Sequence, residues 1–353
     1  MKRIQAFLKR KNVLLSAKRY GVDAMGAMAQ GLFASLLIGT MMKTLGQQLS
    51  VQFLIDAGDF AQRVAGPAMA VSIGAALAAP QLVLYSLIAV GLAANSLGSA
   101  GGPLAVYIIT IIAAECGKIV SRETKVDILV TPAVTILVGC GLAALCAPAI
   151  GAAASAVGDF IKWATELQPF LMGVAVSVAV GMALTLPISS AAICAALSLT
   201  GLAGGAAVAG CCAQMVGFAV ISYRDNGVSG LISQGLGTSM LQMPNIIRNP
   251  RIWIAPTLAS AVTGPLATCL FHLEMNGPAV SSGMGTCGLV GQIGVYTGWL
   301  NDIAAGTRAA ILPMDWICLG LICFVLPAAL SLLFCLILRR WGWIKPGDMK
   351  LEA

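Results

Sequence analysis

Charge is what this sequence has least of. Only 10% of its 353 residues are Asp, Glu, Lys or Arg, whereas 58% are hydrophobic, and the mean hydropathy is +0.90. An ordinary soluble domain carries roughly a quarter charged residues. The composition therefore excludes a soluble globular protein and predicts an integral membrane protein whose spans make up the domain itself.

Histidine is almost absent, and the cysteines follow no metal or redox motif. His272 is the sole histidine, and the eleven cysteines are scattered through apolar stretches without CxxC or Cys/His spacing. Such cysteines are typical of small core residues. No nucleophile and base pair stands out either. We therefore predict a protein that is not an enzyme, with no catalytic residue, cofactor or metal site.

Apolar stretches near the ~20 residues that cross a bilayer recur along the chain. They predict an all-α polytopic membrane protein with about ten transmembrane or re-entrant segments. The number of full crossings stays open, as does an alternative in which the seventh segment is broken at Gly201 to Gly205. The segments are 22–43, 65–80, 81–97, 103–119, 126–150, 168–187, 190–222, 252–272, 276–297 and 313–338.

Basic residues divide the chain into an arm, a membrane domain and a tail. Residues 1–20 read as a basic amphipathic arm on a membrane surface, 21–340 as the transmembrane domain and 341–353 as a tail. The arm, the tail and the stretches at 118–125 and 224–251 hold most of the positive charge, which predicts that both termini are cytoplasmic. The net charge of +7 is accounted for in this way, so nucleic acid is not an expected partner. The less basic loops at 44–64, 155–166 and 298–312 suit the outer face.

Glycine clusters mark two places where a helix is expected to break. Asn95 precedes "GSAGGP", and Asn276 precedes "GP" in "HLEMNGPAVSSGMGTCGLVGQIG". Small residues allow close helix packing, which is one explanation. The other is a re-entrant or broken segment, because irregular backbone at membrane depth is tolerated where protein or a cavity covers it. Pro132 and Pro256 lie in similar apolar runs and indicate a possible parallel internal repeat.

Polar groups inside apolar segments are the candidate solute ligands. Glu115 is either an interfacial carboxylate paired with Lys118 or a cavity residue. His272 and Glu274 face opposite sides of an ideal helix, so they cooperate only if the backbone is irregular, and the alternative is a wetted outer loop. The further candidates are uncharged, which suits a mostly uncharged solute: Asn95, Asn276, Ser281, Ser282, Gln214 and Gln292. Asp315, at the start of the last span, reads as a helix cap or surface residue.

The stretches "DAMGAMAQGLFASLLIGTMMKTLG", "AANSLGSAGGPLAVYI" and "HLEMNGPAVSSGMGTCGLVGQIG" resemble the phosphotransferase-type EIIC membrane proteins of family 2, also labelled PfoR-like. The resemblance covers nearly the whole chain. It implies an EIIC-like permease fold with re-entrant hairpins in a bacterial plasma membrane, a homodimer and a sugar or sugar-like solute. Since this chain has no phosphocarrier domain, phosphorylation requires separate phosphotransferase chains. In sugar-transporting EIIC proteins a histidine and a glutamate commonly bind substrate hydroxyls, which directs attention to His272 and Glu274.

Two functions remain open at this point. The first is a transporter that moves a small polar solute by alternating access. The second is a membrane sensor of PfoR type that binds a solute without moving it and signals through its arm or tail. Uptake of labelled solutes into proteoliposomes separates the two.

Overall fold

The computed structural model describes residues 2–14 and 16–351, and the regular elements in those residues are helices. The chain divides into two compact units, Met1–Ala154 and Ser155–Ala353. Six helical stretches in the described part are long and apolar enough to cross a membrane. With the shorter and broken apolar segments, they confirm the predicted all-helical protein with about ten segments.

The first unit begins with α1 (Lys2–Arg10), followed by α2 (Arg19–Leu49) and the antiparallel α3 (Gln52–Arg63). Gly39 and Gly58 face each other where α2 and α3 cross, and a β-carbon on Gly58 would lie 2.5 Å from the carbonyl oxygen of Gly39. The residues 44–64, predicted as an outer loop, are therefore largely a helical hairpin.

The remaining helices of the first unit are α4 (Ala65–Ala76), α5 (Gln81–Gly98) and α6 (Gly102–Val120). α4 is about 18 Å long, short of the ~30 Å hydrocarbon core. Ser99 has a φ of +47° and breaks the chain between α5 and α6, as the glycine cluster there predicts. Predicted segments 81–97 and 103–119 are therefore confirmed as two helices.

α7 (Asp127–Thr165) runs from the first unit into the second. The prediction of an outer loop at 155–166 is wrong, because this stretch of mostly helix-forming residues continues the helix almost to its end. Much of α7 is exposed, with large apolar side chains such as Leu137 and Leu145 uncovered. That surface suits lipid contact.

The second unit continues with α8 (Pro169–Thr185), α9 (Ser190–Ala196) and α10 (Gly201–Ile221). The predicted break in segment 190–222 is present but lies at residues 197–200, where Ser198 has a φ of +48°. α10 is central, packs against α8 and is buried along nearly its whole length.

The unit is completed by five helices and a tail. α11 (Tyr223–Ile232) and α12 (Met243–Arg248) belong to a segment of residues 222–249 that contains many carboxamide side chains, and we name it the amide loop. α13 (Pro250–Leu270) and α15 (Pro313–Arg340) pack on α10. Between them, residues 271–289 are irregular and lead into α14 (Val290–Ala304), so the predicted span at 276–297 is not one continuous helix.

Candidate functional site

The break after α13 places the polar cluster of the sequence on irregular backbone. His272 has a φ of +45°, and residues 272–276 run without helical hydrogen bonds. Gly201 and Met275 exchange two backbone hydrogen bonds of 3.0 and 3.1 Å and form an isolated antiparallel bridge. The irregular backbone that His272 and Glu274 require is therefore present.

The chain break changes the relation between His272 and Glu274 that a helix would impose. Leu273 and Met275 are buried, whereas His272 and Glu274 are exposed. Both exposed side chains line one cleft, so the imidazole and the carboxylate face the same way.

Asn276 joins this row and links it to α14. Its amide Nδ2 donates to Oε2 of Glu274 at 3.1 Å and to Oδ2 of Asp302 at 3.1 Å. One amide thus lies between two carboxylates, and it holds Glu274 toward the end of α14. Asp302, in a stretch read from sequence only as an outer loop, was not among the predicted ligands.

A small cleft of about 100 Å³ opens beside this row. It is lined by His272, Glu274 and residues that the sequence did not single out: Phe271, Leu273, Trp299, Arg308, Asp315 and Cys318. The Arg308 guanidinium lies 5.3 Å from the centre of the Trp299 ring and forms an ion pair with Asp315. Asp315 also accepts the backbone N–H of Leu312 at 2.7 Å, which confirms its helix-capping role.

The serines of the glycine-rich stretch are buried and close to backbone. Ser282 donates to the carbonyl of Leu199 at 2.6 Å, which ties the irregular segment after α13 to the break before α10. The backbone carbonyl of Gly283 accepts the hydroxyl of Ser190 at 2.7 Å. Ser281 packs against Gly294, and a β-carbon added to Gly294 would lie 2.4 Å from the β-carbon of Ser281. The two broken segments thus hold each other.

Gln292 and Gln214 lie on the interior of the second unit. Gln292 donates to the sulfur of Cys212 at 3.2 Å, while its buried Oε1 has no hydrogen-bond partner among the described residues. Gln214 is fully buried, and its Oε1 accepts the indole N–H of Trp253 at 2.9 Å. Its Nε2 donates to Thr257 at 3.3 Å. Gln292 thus retains an unused acceptor, whereas Gln214 joins helices.

Asn95 and Glu115 lie in the first unit. Asn95 packs where α5 meets the chain break, and a β-carbon on Gly102 would lie 2.6 Å from its Oδ1. Glu115 forms an ion pair of 2.9 Å with the buried Lys118 and accepts the hydroxyl of Tyr20 at 3.1 Å. The pairing considered from the sequence is therefore present.

The comparisons with known proteins agree with this architecture. The family model for "Phosphotransferase system, EIIC" matches residues 22–351, nearly the whole chain. Neither a curated protein nor a solved structure matches it. With apolar helices, broken segments and a match of this extent, the chain belongs to the EIIC family of the phosphotransferase system and is a membrane transporter component of that system.

Proposed function

We propose that this chain is a permease for a small polar solute, a sugar or sugar-like compound, which enters the cleft of the second unit. The row of His272 and Glu274 beside the Trp299 ring carries the proposal. Carboxylate and imidazole groups supply acceptors and donors for hydroxyls, and the buried Trp299 ring forms an apolar boundary of the cleft beside the Arg308 guanidinium. The exposed lining of the cleft is mostly polar, with a few apolar side chains such as Phe271, and this suits a solute rich in hydroxyl groups.

A path inward follows one side of α14. Gln292, Val295, Trp299 and Asp302 are three or four residues apart and so share a helix face. Asp302 is linked through Asn276 to Glu274 at the cleft, and Gln292 offers its unpartnered oxygen almost three turns further along α14. Between them an apolar cluster that includes Met275, Val295 and Trp299 fills the interior. Alternating access then consists of parting this cluster while the solute passes from Glu274 to Gln292.

The remaining predicted ligands are secondary candidates for contact with the solute. Asn276 orients Glu274 and can contact the solute directly. Asn95, Glu115, Gln214, Ser281 and Ser282 have packing or hydrogen-bond roles in the folded chain, and a second role as solute ligands remains a prediction.

The proposed cellular setting is a bacterial plasma membrane with both termini in the cytoplasm. The basic stretches at 118–125 and 224–251 support this orientation. We further propose a homodimer that works with separate phosphotransferase chains, as the resemblance implies. The division into arm, membrane domain and tail at residues 20 and 340 belongs to the same proposal.

A sensor that binds the solute without transport is the second candidate. The observation that favours it is that both chain ends are tied to loops, Arg10 to Glu123 in the first unit and Leu351 to Asn226 in the second. Such ties give a signal a route to each terminus. Uptake into proteoliposomes decides between the candidates, because a sensor binds solute without flux.

Glu274→Gln tests the site. A panel of neutral monosaccharides, disaccharides and polyols is screened by thermal shift, and the affinity of any stabilising compound is then measured. We expect Glu274→Gln to weaken binding about tenfold, since hydrogen bonds to a carboxylate are roughly twice as strong as those to the neutral amide oxygen that replaces it. Glu166→Gln is the matched control, because Glu166 is an exposed carboxylate outside the cleft. Equal affinity in the two folded variants would remove Glu274 from the site.

A further inference from the structure

The C-terminal tail of the second unit is folded into the amide loop. Asn226 donates to the carbonyl of Met349 at 2.8 Å and accepts the N–H of Leu351 at 2.8 Å, so one carboxamide pairs with two backbone groups of the tail. Gln242 donates to the same Met349 carbonyl at 3.0 Å, and Asn245 donates to the carbonyl of Lys350 at 2.9 Å. Side chains of the amide loop thus bind the backbone of this stretch of the tail.

Two further contacts extend the row toward the start of the tail. Asn249 donates to the carbonyl of Trp343 at 3.1 Å, and Asp225 accepts the N–H of Gly347 at 3.1 Å. Only two side chains of this stretch are deeply buried, Ile344 at 3% and Met349 at 0% exposure. Backbone pairing with pockets for selected side chains is how proteins bind extended peptides.

The carboxamides are held in place by a second layer. Gln242 donates to Oε1 of Gln234 at 2.8 Å, and Gln234 donates to the hydroxyl of Ser222 at 2.9 Å. Gln234 and Gln242 are fully buried. The carbonyl of the next residue, Gly235, accepts the hydroxyl of Thr286 in the glycine-rich stretch. The loop therefore connects the tail to the broken segment.

We infer that the amide loop is a binding site for an extended peptide, that residues 343–351 are its occupant in the same chain, and that the tail leaves the site reversibly. The row of hydrogen bonds and the burial of two side chains oppose the conformational entropy of nine residues, and one of these is Gly347 at positive φ. Segments with so few buried apolar contacts open locally while the core stays folded. Departure of the tail uncovers the carboxamides and removes the support of the loop that Thr286 contacts.

The first test uses two full-length variants with the same new side chain one residue apart. Met349→Asn places an amide in the buried pocket, whereas Lys350→Asn changes an exposed side chain. A fluorescein-labelled peptide of residues 343–351 is titrated against each protein and followed by anisotropy. We expect saturable binding to Met349→Asn that is at least roughly tenfold tighter than to wild type or Lys350→Asn, where the tail competes. Adding Asn226→Ala to Met349→Asn should abolish that binding.

Absence of peptide binding to a monodisperse, helical Met349→Asn protein would overturn the inference, as would equal binding to all three proteins. Wild-type protein gives a second readout that does not depend on a variant folding. Amide hydrogen exchange at Gly347 and Leu351 should be much faster than in α10, which reports local opening. Exchange as slow as in α10 would mean that the tail is permanently packed. Neither measurement involves a transported solute, so both stand apart from the permease proposal.

Discussion

At the scale of single residues, Lys118 shows how a charge is kept inside this protein. It is the largest fully buried side chain, and its ammonium has three partners. It forms an ion pair with Glu115 at 2.9 Å and donates to the carbonyls of Asn12 at 2.7 Å and Leu77 at 3.0 Å. An ammonium has three donors, so the group is satisfied. The same contacts fasten the arm to the turn before α5.

Removing one charge of the Lys118–Glu115 pair should destabilise the protein more than removing both charges. In Lys118→Met the Glu115 carboxylate stays buried without its cation, and breaking such a pair costs about 3–5 kcal/mol. We expect a clear loss of melting temperature in detergent, with partial recovery in Lys118→Met/Glu115→Gln. Lys125→Met, at an exposed position, is the control. If the double variant is no more stable than the single one, the two charges are not coupled.

The sequence indicated the polar residues of the site but not the residues that pack beside them. His272, Glu274 and Asn276 stand out because ionisable and amide groups are costly in apolar segments. Their alignment depends on irregular, non-helical backbone, which "NGP" indicates only in part. Trp299 and Arg308 join them through tertiary packing across the turn into α15. No local pattern in the sequence predicts that association.

At the scale of elements, the glycine-rich stretch combines close packing with unusual backbone. A β-carbon on Gly291 would lie 2.4 Å from the carbonyl oxygen of Gly285, and one on Gly285 would lie 2.7 Å from the β-carbon of Cys211. Gly285 and Gly288 also have φ of +54° and +52°. Both explanations offered by the sequence are therefore present: Gly291 packs closely, Gly288 has left-handed backbone, and Gly285 combines the two.

Alanine substitutions should separate the two effects. Gly291→Ala should cost about 1–3 kcal/mol through overpacking. Gly285→Ala should cost roughly 1–2 kcal/mol more, because left-handed backbone penalises a β-carbon. Gly141→Ala, in α7 with nothing within 4 Å, is the control and should be neutral or slightly stabilising. Thermal unfolding of the purified variants measures the order, and equal losses at 285 and 291 would rule out the backbone contribution.

The arm is an element whose attachment should depend on pH. A hydrogen bond from Lys11 and the nearby Arg10 lower the pKa of Glu123 below its ordinary value of 4.5. Because the folded-state pKa is the lower one, this contribution is fully present above about pH 4.5 and is lost as the pH falls through the folded value.

Spin labels at Lys9→Cys and Lys125→Cys would report the attachment as a distance distribution. We expect a narrow distribution at neutral pH that broadens below about pH 4.5. Glu123→Gln, which cannot ionise, should give one distribution at every pH. A distribution that stays narrow in acid would show that other contacts hold the arm.

The positions of the helices could be predicted where hydrophobicity determines them. They were harder to predict where a break in the helix determines them. The ten apolar segments follow from composition and length, and the break between α5 and α6 follows from "GSAGGP". The break lies at 197–200, just before the glycines predicted to cause it, because Ser198 takes the left-handed conformation as well as Gly201 at the edge of the break. α7 continues to Thr165 because acidic residues such as Asp159 are compatible with a helix even where they suit an outer loop.

At the scale of the whole molecule, each chain end lies on the same side as a basic loop. Arg10 reaches Glu123, which keeps the arm beside residues 118–125 in the first unit. Leu351 bonds to Asn226, which keeps the tail beside the amide loop in the second unit. A basic loop prefers the cytoplasmic side. Because of these contacts, each terminus must lie on the same side of the membrane as its basic loop. A test of the loop's orientation therefore also tests that of the terminus.

Labelling with a membrane-impermeant maleimide on intact cells tests that prediction for both units. The exposed cysteines Cys146 and Cys269 are first replaced by alanine to lower the background. We expect cysteines introduced at Arg122 and Arg248 to react only after the membrane is permeabilised, whereas one at Thr307, in the exposed turn beside the cleft, should react on intact cells. The Thr307 result carries the functional argument, because a cleft that accepts a solute from outside must open on the side that the reagent reaches. Strong labelling at 122 or 248 in intact cells, with none at 307, would show that the protein has the opposite orientation. The cleft would then open at the cytoplasmic end of the path.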